Sequence, residues 1–428
     1  MSQRTGQVIL DEIEKANRGR KPSLVRMKLD LMAAGVFSFF RGTNHLFVRE
    51  WPSLRPLEPG PLGLICGDLH LENFGAYLTE AGDCRFSIND FDEAYVAPCG
   101  FDLVRCCASI FLAAEEWGLP TSLAAGMVVE FLDSYRKEVI ASAVSGRIGV
   151  VDPMTSHGAI LKLITPTAVG SRDALLAQQT EPSRKLGHPV IRLDPKTRPV
   201  NAKKRQEIGE AFEELANRSE IHRSIKVLDV TTRIAGLGSL GLRRYLVLVE
   251  GGIVEDRLRL LDVKEAVPSA LHVCVDAPQP YWGPDEASRI INAERLDLER
   301  PESGLATLHF ADRSFRIREM IPDANRSKLS RLRGDTAKLR EVVRVAGAIA
   351  GWAHYRGVEA IEAGRAAELN HWASGPSFDA VMVSAARAAD RSRSDFEGFK
   401  KALTRKSVRK RLKLSPKVGL TSTSTRSN

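Results

Sequence analysis

The sequence predicts an α+β fold in which a β-rich lobe lies between two helical regions. Residues 101–117 carry apolar side chains at 104, 107, 108, 111 and 112, a spacing typical of a helix that packs on a core. Between Lys226 and Lys264, three β-type runs are separated by glycine-containing turns. From Thr336 onward the pattern is helical again. The expected division is a helical lobe at 1–222, a β-rich lobe at 223–320, helices completing the first lobe at 321–403 and a disordered basic tail at 404–428.

The first lobe is predicted to contain helices and one hairpin. An apolar run, Leu62–Cys66, leads into a loop. The segments Phe74–Leu78 and Cys84–Ile88 are predicted to pair, because the turn residues Glu80–Asp83 separate them. The other predicted elements here are helices over Leu24–Phe40, Phe101–Trp117 and about Leu123–Ile140, then an irregular, partly helical connection over 146–199.

The second half of the chain has a different pattern of predicted elements. Its β-type runs and helices alternate, and no internal repeat is present. The predicted strands are Lys226–Ile234, Tyr245–Glu250, Leu258–Lys264, Leu305–Phe310 and Phe315–Met320, and the predicted helices are Pro284–Leu298, Leu339–Tyr355 and about Phe378–Leu403.

Composition favours a globular, cytoplasmic protein. The 428 residues suffice for two or three domains, and no apolar run approaches the roughly 20 residues that span a bilayer. The polar segment 1–21 mixes acids with bases, which fits neither a signal peptide nor a transit peptide. Six cysteines lack metal-type spacing, and several lie in apolar runs as reduced cysteine does. The sequence does not indicate an oligomeric state.

The net charge of +9 is concentrated at one end of the chain. Residues 391–428 carry 12 Lys/Arg against 2 Asp/Glu, so their charge is +10 and the other 390 residues sum to about −1. A Ser/Thr-rich basic tail of this kind is expected to be a solvated extension. Nucleic acid or acidic lipid would be a partner only through this tail.

The first chemistry-bearing motif is Gly67–Gly75, followed across the predicted hairpin by Asn89–Glu93. An Asp, an Asn five residues later and a second Asp after the next strand are typical of phosphoryl transfer, which needs a carboxylate near the attacking hydroxyl and oxygen ligands for Mg²⁺. In this interpretation Asp68 is the catalytic base, and Asn73 and Asp90 are metal ligands. Asp92 is a possible second acidic ligand.

A glycine-rich segment, Gly236–Gly241, is the second motif. A dinucleotide fingerprint would need a helix after the loop, whereas here a strand beginning near Tyr245 follows. Strand, glycine loop, strand is the arrangement in which kinases lay backbone amides over ATP phosphates. A hairpin without a ligand is the alternative. The predicted nucleotide contacts are Gly236, Gly238, Ser239 and Gly241.

Lys264, at the end of the third strand, is the third candidate. A lysine in this position reaches nucleotide phosphates in kinases and is held by a glutamate on the next helix. Glu294 is the predicted partner, and Glu265 is a local competitor. Alone, Lys264 would be read as a surface lysine.

Three further residues admit two readings each. Asp68 and His70 also match the Asp-x-His opening of metal phosphoesterases, but the later motifs of that class do not follow, so His70 is expected to be structural. Asp102 could cap the helix it begins or brace the catalytic loop, or do both. Arg41 could contact a phosphate or the acceptor, or form a structural ion pair.

Together these motifs resemble known phosphotransferases. Gly67–Asn73 is similar to the catalytic loop of aminoglycoside phosphotransferases and choline kinases, and Asp90–Asp92 looks like their metal-binding acid motif. The whole pattern resembles more closely the bacterial family called domain of unknown function 2252, over roughly residues 24–400. The stretches that carry this likeness are Phe39–Gly42, Gly67–Gly75, Asn89–Glu93, Phe101–Arg105, Gly236–Gly241, Val263–Ala266 and Ile317–Met320. One departure is Glu294, where the resemblance leads us to expect Gln.

The resemblance implies a protein-kinase-like, two-lobed fold, and the order of motifs implies a circular permutation. The catalytic loop and metal-binding acid come first, the glycine loop and Lys264 come later, and a helix around His354 resembles the one that precedes the catalytic loop in phosphotransferases. Chain ends lie on surfaces and often close together, so this rearrangement is physically inexpensive. The expected cofactors are ATP and Mg²⁺. A non-catalytic nucleotide-binding protein and a nucleotidyl (AMP) transferase stay open, as does the acceptor, small molecule or protein.

Overall fold

The computed structural model describes residues 4–170, 172–218, 225–251, 257–277, 279, 283–298, 300–320 and 329–412. Its architecture is mixed α+β, as predicted. Helices from both ends of the chain share one hydrophobic cluster, and an antiparallel sheet forms separate apolar clusters of its own. No helix within these ranges is both long and apolar enough to cross a bilayer.

The helical body takes its elements from the two ends of the chain. From the first part come α1 (Gly6–Ala16), α2 (Pro22–Ala33), α3 (Val36–Gly42), α4 (Asn44–Leu54), α5 (Gly100–Glu116), α6 (Thr121–Ser145) and α7 (Gly158–Ala168). From the last part come α11 (Thr336–Ile361), α12 (Ala366–Ser374), α13 (Ala380–Thr404) and α14 (Lys406–Leu412). Helix α5 is central, since residues 100–114 are all buried, and it packs against α6 and α13.

Two strand pairs are attached to this body. Strand β1 (Leu62–Ile65) pairs antiparallel with β4 (Tyr95–Pro98), a strand that the sequence pattern did not indicate. The predicted hairpin is confirmed as β2 (Phe74–Leu78) and β3 (Cys84–Ile88), with Phe74 opposite Ile88. The open end of this hairpin therefore lies beside the loop that follows β1.

The central part of the chain forms the β-rich lobe. Its elements are α8 (Arg172–Gln179), β5 (Thr180–Ser183), β6 (His188–Ile191), β7 (Thr197–Pro199), α9 (Ala202–Arg218), β8 (Ile225–Arg233), β9 (Arg244–Gly251), β10 (Leu258–Glu265), α10 (Glu286–Asp297), β11 (Ala306–Phe310) and β12 (Arg313–Glu319). The six-stranded sheet has the order β11-β12-β10-β9-β8-β7, and every pair is antiparallel. The irregular connection expected at 146–199 thus contains helices and strands.

The prediction of one helix over Leu24–Phe40 is wrong, because the chain breaks between α2 and α3. Gly35 is extended, and the Glu116 carboxylate accepts a hydrogen bond from Phe37 N at 3.0 Å. A side chain at Gly35 would collide with Glu116, since its Cβ would lie 2.0 Å from Oε2. A residue far along the chain therefore caps α3 and separates it from α2.

Disorder from residue 404 onward is also an incorrect expectation for the first part of the tail. Residues Lys406–Leu412 form α14, Val408 is buried, and Arg411 pairs with Glu14 of α1 at 2.9 Å. Residues 413–428 lie outside the described part of the chain. The buried Val408 and the ion pair of Arg411 with Glu14 therefore both hold this short helix against the body.

Replacing Val408 by alanine should lower the free energy of unfolding by about 1–3 kcal/mol, because the buried methyl groups leave a cavity. Chemical denaturation of the full chain measures this. The matched control is Val383→Ala on α13, whose side chain is exposed and should change stability by less than about 0.5 kcal/mol. Equal stability of the Val408 variant and the wild type would mean that α14 does not dock.

Candidate functional site

The loop after β1 is anchored by one buried carboxylate. Asp102, at the start of α5, accepts hydrogen bonds from Cys66 N at 2.8 Å and Gly67 N at 2.9 Å. Gly67 has φ +77°, and a Cβ there would lie 2.1 Å from the carbonyl oxygen of Glu93. Glycine is therefore required both by the backbone angle and by the close approach. Two roles were considered for Asp102, capping helix α5 and bracing the loop after β1. The structure shows that Asp102 braces the loop.

Asp68 follows directly and pairs with Arg105 of α5. The Arg105 guanidinium is fully buried and stacks on the ring of Phe40, 4.2 Å from its centroid. Burial raises the pKa of Asp68 to about 7, against the opposing effect of Arg105. The carboxylate is thus held by a rigid partner and titrates near neutral pH.

Asn73 joins this loop to Asn89–Glu93, which we call the acidic segment. Its side-chain Nδ2 donates to Asp68 O at 2.8 Å, and its backbone oxygen accepts from Asn89 N at 2.9 Å. Asp90 directly follows Asn89 in the chain. The hairpin therefore brings Asn73 and Asp90 together, which agrees with the predicted pairing of its two strands.

Lys264 of β10 reaches the same place. Its Nζ pairs with Asp92 and lies 3.9 Å from Asp90 Oδ1. Partial burial opposes ionisation of Asp90, but the cations of Lys264, Arg316 and Arg318 hold its pKa well below the usual range. Asp90 is therefore a carboxylate at neutral pH, and 47% of its side chain is exposed to the cavity.

The predicted pair between Lys264 and Glu294 does not form. Glu294, on α10, contacts Arg316 at 3.3 Å, and it does not line the cavity that contains Lys264. Lys264 and Arg316 are direct cross-strand partners on β10 and β12, and they take different carboxylates. Burial raises the pKa of Glu294 to about 8. The competitor Glu265 instead pairs with Arg243 and Arg313.

The glycine segment connects β8 to β9 and is held from outside. Arg20 Nη1 and Lys28 Nζ donate to Gly238 O at 2.7 and 3.0 Å, and Lys21 N donates to Gly241 O at 2.9 Å. Gly236 has a φ of +77° and Gly241 has one of +94°. The segment 17–28 therefore holds this loop in position from outside.

One cavity of about 1090 Å³ brings most of the predicted site residues together. Gly241 and Glu294 are absent from its lining. The predicted site residues that do line it are Asp68, Asn73, Asp90, Asp92, Gly236, Gly238, Ser239 and Lys264. Lys264 and Asp90 therefore share this cleft, although they are 174 residues apart in the chain, and Lys264 Nζ lies 3.9 Å from Asp90 Oδ1.

The two remaining ambiguous residues also face this cavity. Arg41 pairs with Glu72 at 2.5 Å and lies 3.4 Å from His70 Nε2. His70 Nδ1 accepts a hydrogen bond from Glu72 N at 3.2 Å, and burial lowers its pKa well below the usual range. His70 is thus neutral and supports the loop, while Arg41 forms an ion pair at the cavity wall.

Two buried arginines that organise the site were not assigned a role from the sequence. Arg105 lies within Phe101–Arg105, one of the stretches that carry the family resemblance, but no spacing rule identifies Asp68 as its partner. Arg289 of α10 donates to Ala94 O at 2.7 Å, Asp92 O at 2.8 Å and Val267 O at 3.0 Å. Because these acceptors are backbone carbonyls, only the fold shows that Arg289 ties α10 to the acidic segment.

The donor set fits a hard cation held by few protein ligands. Asp92 Oδ1 is buried without a hydrogen-bond partner, and Asn73 Oδ1 is left as an acceptor when Nδ2 bonds to Asp68 O. Within the described ranges, no group of three or more His, Cys, Asp or Glu is arranged to hold a metal. Mg²⁺ commonly uses one or two carboxylates and completes its shell with water and phosphate, so two acids suffice.

Comparison with known proteins adds one match. The model of a family described as an uncharacterized protein conserved in bacteria (DUF2252) matches residues 20–402. No curated protein and no solved structure matches the chain.

Proposed function

The chain belongs to the bacterial family DUF2252, and we propose that it is an ATP- and Mg²⁺-dependent phosphotransferase with a permuted kinase-like fold. The observation that carries the proposal is the meeting of Lys264 with Asp90 and Asp92 in the cavity that also contains Asp68, Asn73 and the glycine loop. Phosphoryl transfer needs these parts together: a phosphate-binding lysine, a glycine loop, metal-binding oxygens and a carboxylate near the acceptor.

The topology of the β-rich lobe supports the proposal. The glycine loop joins neighbouring antiparallel strands β8 and β9, Lys264 lies on the third strand β10, and α10 follows before β11 and β12. Kinases arrange a glycine loop, a third-strand lysine and a helix in the same order. The Lys–Glu pair of kinases is missing here, and Asp92 takes the lysine instead.

A permuted order agrees with the position of α11. His354 Nε2 lies 3.6 Å from Asp102, the carboxylate that braces Gly67, and a Cβ on Gly357 would lie 2.2 Å from Leu64 O of β1. The end of this late helix therefore contacts the segment that leads into the catalytic loop. Joining α11 to that segment would restore the order of an unpermuted kinase.

Each residue has a role in this proposal. Amides of Gly236, Gly238 and Ser239 would approach the phosphates, and Lys264 would move from Asp92 to a phosphate oxygen. Asn73 and Asp90 would hold Mg²⁺, with Asp92 as a second acidic ligand once Lys264 has moved, and the ion supplies charge neutralisation and orientation of the phosphates when bound.

Asp68 would accept the proton of the acceptor hydroxyl. A pKa near 7 suits a general base at neutral pH, because both the ionised form and the driving force for proton transfer are available. Arg105 would keep the carboxylate oriented, since its own rotation is prevented by burial and by the Phe40 ring.

Replacing Asp90 by alanine should weaken Mg²⁺-dependent ATP binding by about 100-fold or more, since even groups that only support metal ligands are worth about 10–100-fold. Calorimetry with and without Mg²⁺ measures this. The control is Asp83→Ala at the turn of the same hairpin, an exposed acid paired with Arg300, which should bind as the wild type does. Equal ATP affinity in the Asp90 variant and the wild type would refute the metal site.

The reaction itself is tested with labelled ATP and a bacterial metabolite extract. Transfer of label from γ-labelled ATP to an extract component is the expected result. Transfer only from α-labelled ATP would indicate nucleotidyl transfer, and Mg·ATP binding with no transfer from either would indicate a non-catalytic binder. Absence of ATP binding would refute all three functions: the phosphotransferase, the nucleotidyl transferase and the non-catalytic nucleotide-binding protein.

A further inference from the structure

One wall of the cavity is built by the N-terminal segment and is strongly basic. Lys15 and Arg18 are exposed at its rim, Arg20 is half-buried, and Lys28 is buried with 3% exposure. We call these four residues the cation wall. It lies next to the glycine loop, because Arg20 and Lys28 both donate to Gly238 O.

The protein neutralises the cation wall only through space, since Glu93, Asp92 and Glu265 act on Arg20 without direct contact. Within the described ranges none of its four members forms an ion pair with a carboxylate, whereas the neighbouring Arg41 and Arg49 pair with Glu72 and Glu12. A buried lysine without a counter-ion is costly, and burial together with the charge of Arg20 lowers the pKa of Lys28 to about 7. A bound anion would relieve both effects.

His45 provides a second, independent observation. It lines the same cavity, and its Nε2 is buried without a hydrogen-bond partner. Burial and the charges of Lys28, Arg20 and Arg105 lower the pKa of His45 to about 3, so the ring is neutral. A neutral ring nitrogen beside several cations is suited to a hydrogen bond with a ligand that carries negative charge.

The cation wall also lies near Asp68, the proposed base. The carboxylates of Glu93 and Asp68 are close enough to raise the pKa of Lys28, against its burial. In the proposed function, the phosphate charge of the nucleotide would be met by Lys264 and the amides of the glycine loop. The basic side chains that lack a direct ion pair therefore line the same cavity as Asp68, where an acceptor would meet the proposed base.

We infer that the acceptor is a hydroxyl compound that also bears an anionic group, phosphate or carboxylate, held by Lys15, Arg18, Arg20, Lys28 and His45. This inference rests on the proposed function, because it assigns the acceptor side of that site. In the transfer step, the acceptor oxygen forms the new P–O bond as its proton passes to Asp68, and the bond from the γ-phosphorus to ADP breaks. An amino alcohol or aminoglycoside, whose amines are positively charged, would be repelled by this wall.

The test uses the full chain saturated with Mg²⁺ and the non-transferable analogue β,γ-methylene ATP, titrated with inorganic phosphate by calorimetry. We expect phosphate to bind in addition to the analogue. The double variant Lys15→Gln/Arg18→Gln should bind it about tenfold more weakly, since each exposed charge contact is worth up to about fivefold. Lys203→Gln, an equally exposed lysine on α9 outside the cavity, is the matched control and should bind phosphate as the wild type does.

Each other outcome overturns the inference. Competition between phosphate and the analogue would assign the cation wall to the nucleotide, and no phosphate binding, or equal binding in the double variant, would exclude an anion subsite. If the analogue itself does not bind, the proposed function fails. In that case phosphate titration without nucleotide still decides whether the wall is an anion site, so the two failures are distinguishable.

Discussion

Replacing Asp68 by asparagine should reduce the rate of phosphoryl transfer by about 10²–10⁴-fold, the range that general bases contribute. Asparagine keeps the shape of the side chain and can still accept a hydrogen bond from Arg105, but it cannot take a proton. The affinity for Mg·ATP should change by less than about twofold, since Asn73 and Asp90 are retained. Single-turnover transfer and calorimetry measure the two quantities.

The pH dependence adds a readout that a purely structural role would not produce. Because burial raises the pKa of Asp68 to about 7, the ionised base is lost below that pH. The wild-type rate should therefore increase about tenfold per pH unit below pH 7 and level off above it. The Asp68→Asn variant should lack this rise. A variant with the wild-type rate and profile would remove Asp68 from the chemistry.

Replacing Asp102 by alanine should lower the free energy of unfolding by about 3–5 kcal/mol. The change leaves the amides of Cys66 and Gly67 without their acceptor in a fully buried environment. It also removes the negative charge that faces His354. Denaturant titration of the full chain measures the loss.

The control for this change is Asp133→Ala on α6, an exposed acid that should alter stability by less than about 0.5 kcal/mol. If the Asp102→Ala protein does not fold, Asp102→Asn supplies an intermediate case, because its amide oxygen can still accept one of the two hydrogen bonds. Wild-type stability in both Asp102 variants would show that the brace is dispensable.

The elements of this protein were largely predictable from local pattern. The strands at 74–78 and 84–88 have the predicted bounds, and the five strands of the six-stranded sheet that were predicted differ from their predicted bounds by at most two residues at either end. The sixth strand, β7, was not predicted. Alternation of apolar residues and turn chemistry act over a few positions, so the sequence displays them directly. The meeting of Asn73 with Asp90 followed for the same reason, since one short hairpin joins them.

The partners of the charged side chains were decided by the tertiary structure. Lys264 takes Asp92 and Glu294 takes Arg316, although the sequence order favoured a pair between Lys264 and Glu294. Asp102 braces a loop 35 residues earlier in the chain instead of capping its own helix. Long side chains select among several opposite charges according to burial and approach, and these depend on how distant elements pack.

The sequence by itself therefore determined the long helices α5, α6, α10, α11 and α13, most strands of the sheet, the hairpin with its acidic end and the residue types available for chemistry. Only the tertiary structure decided that Arg105 holds Asp68, that Arg289 ties α10 to the acidic segment, and that four basic side chains with no ion pair to any described carboxylate face the same cavity. The physical reason is the separation along the chain over which each kind of interaction acts. Backbone periodicity is set by neighbours along the chain, whereas burial and charge pairing are set by neighbours in space.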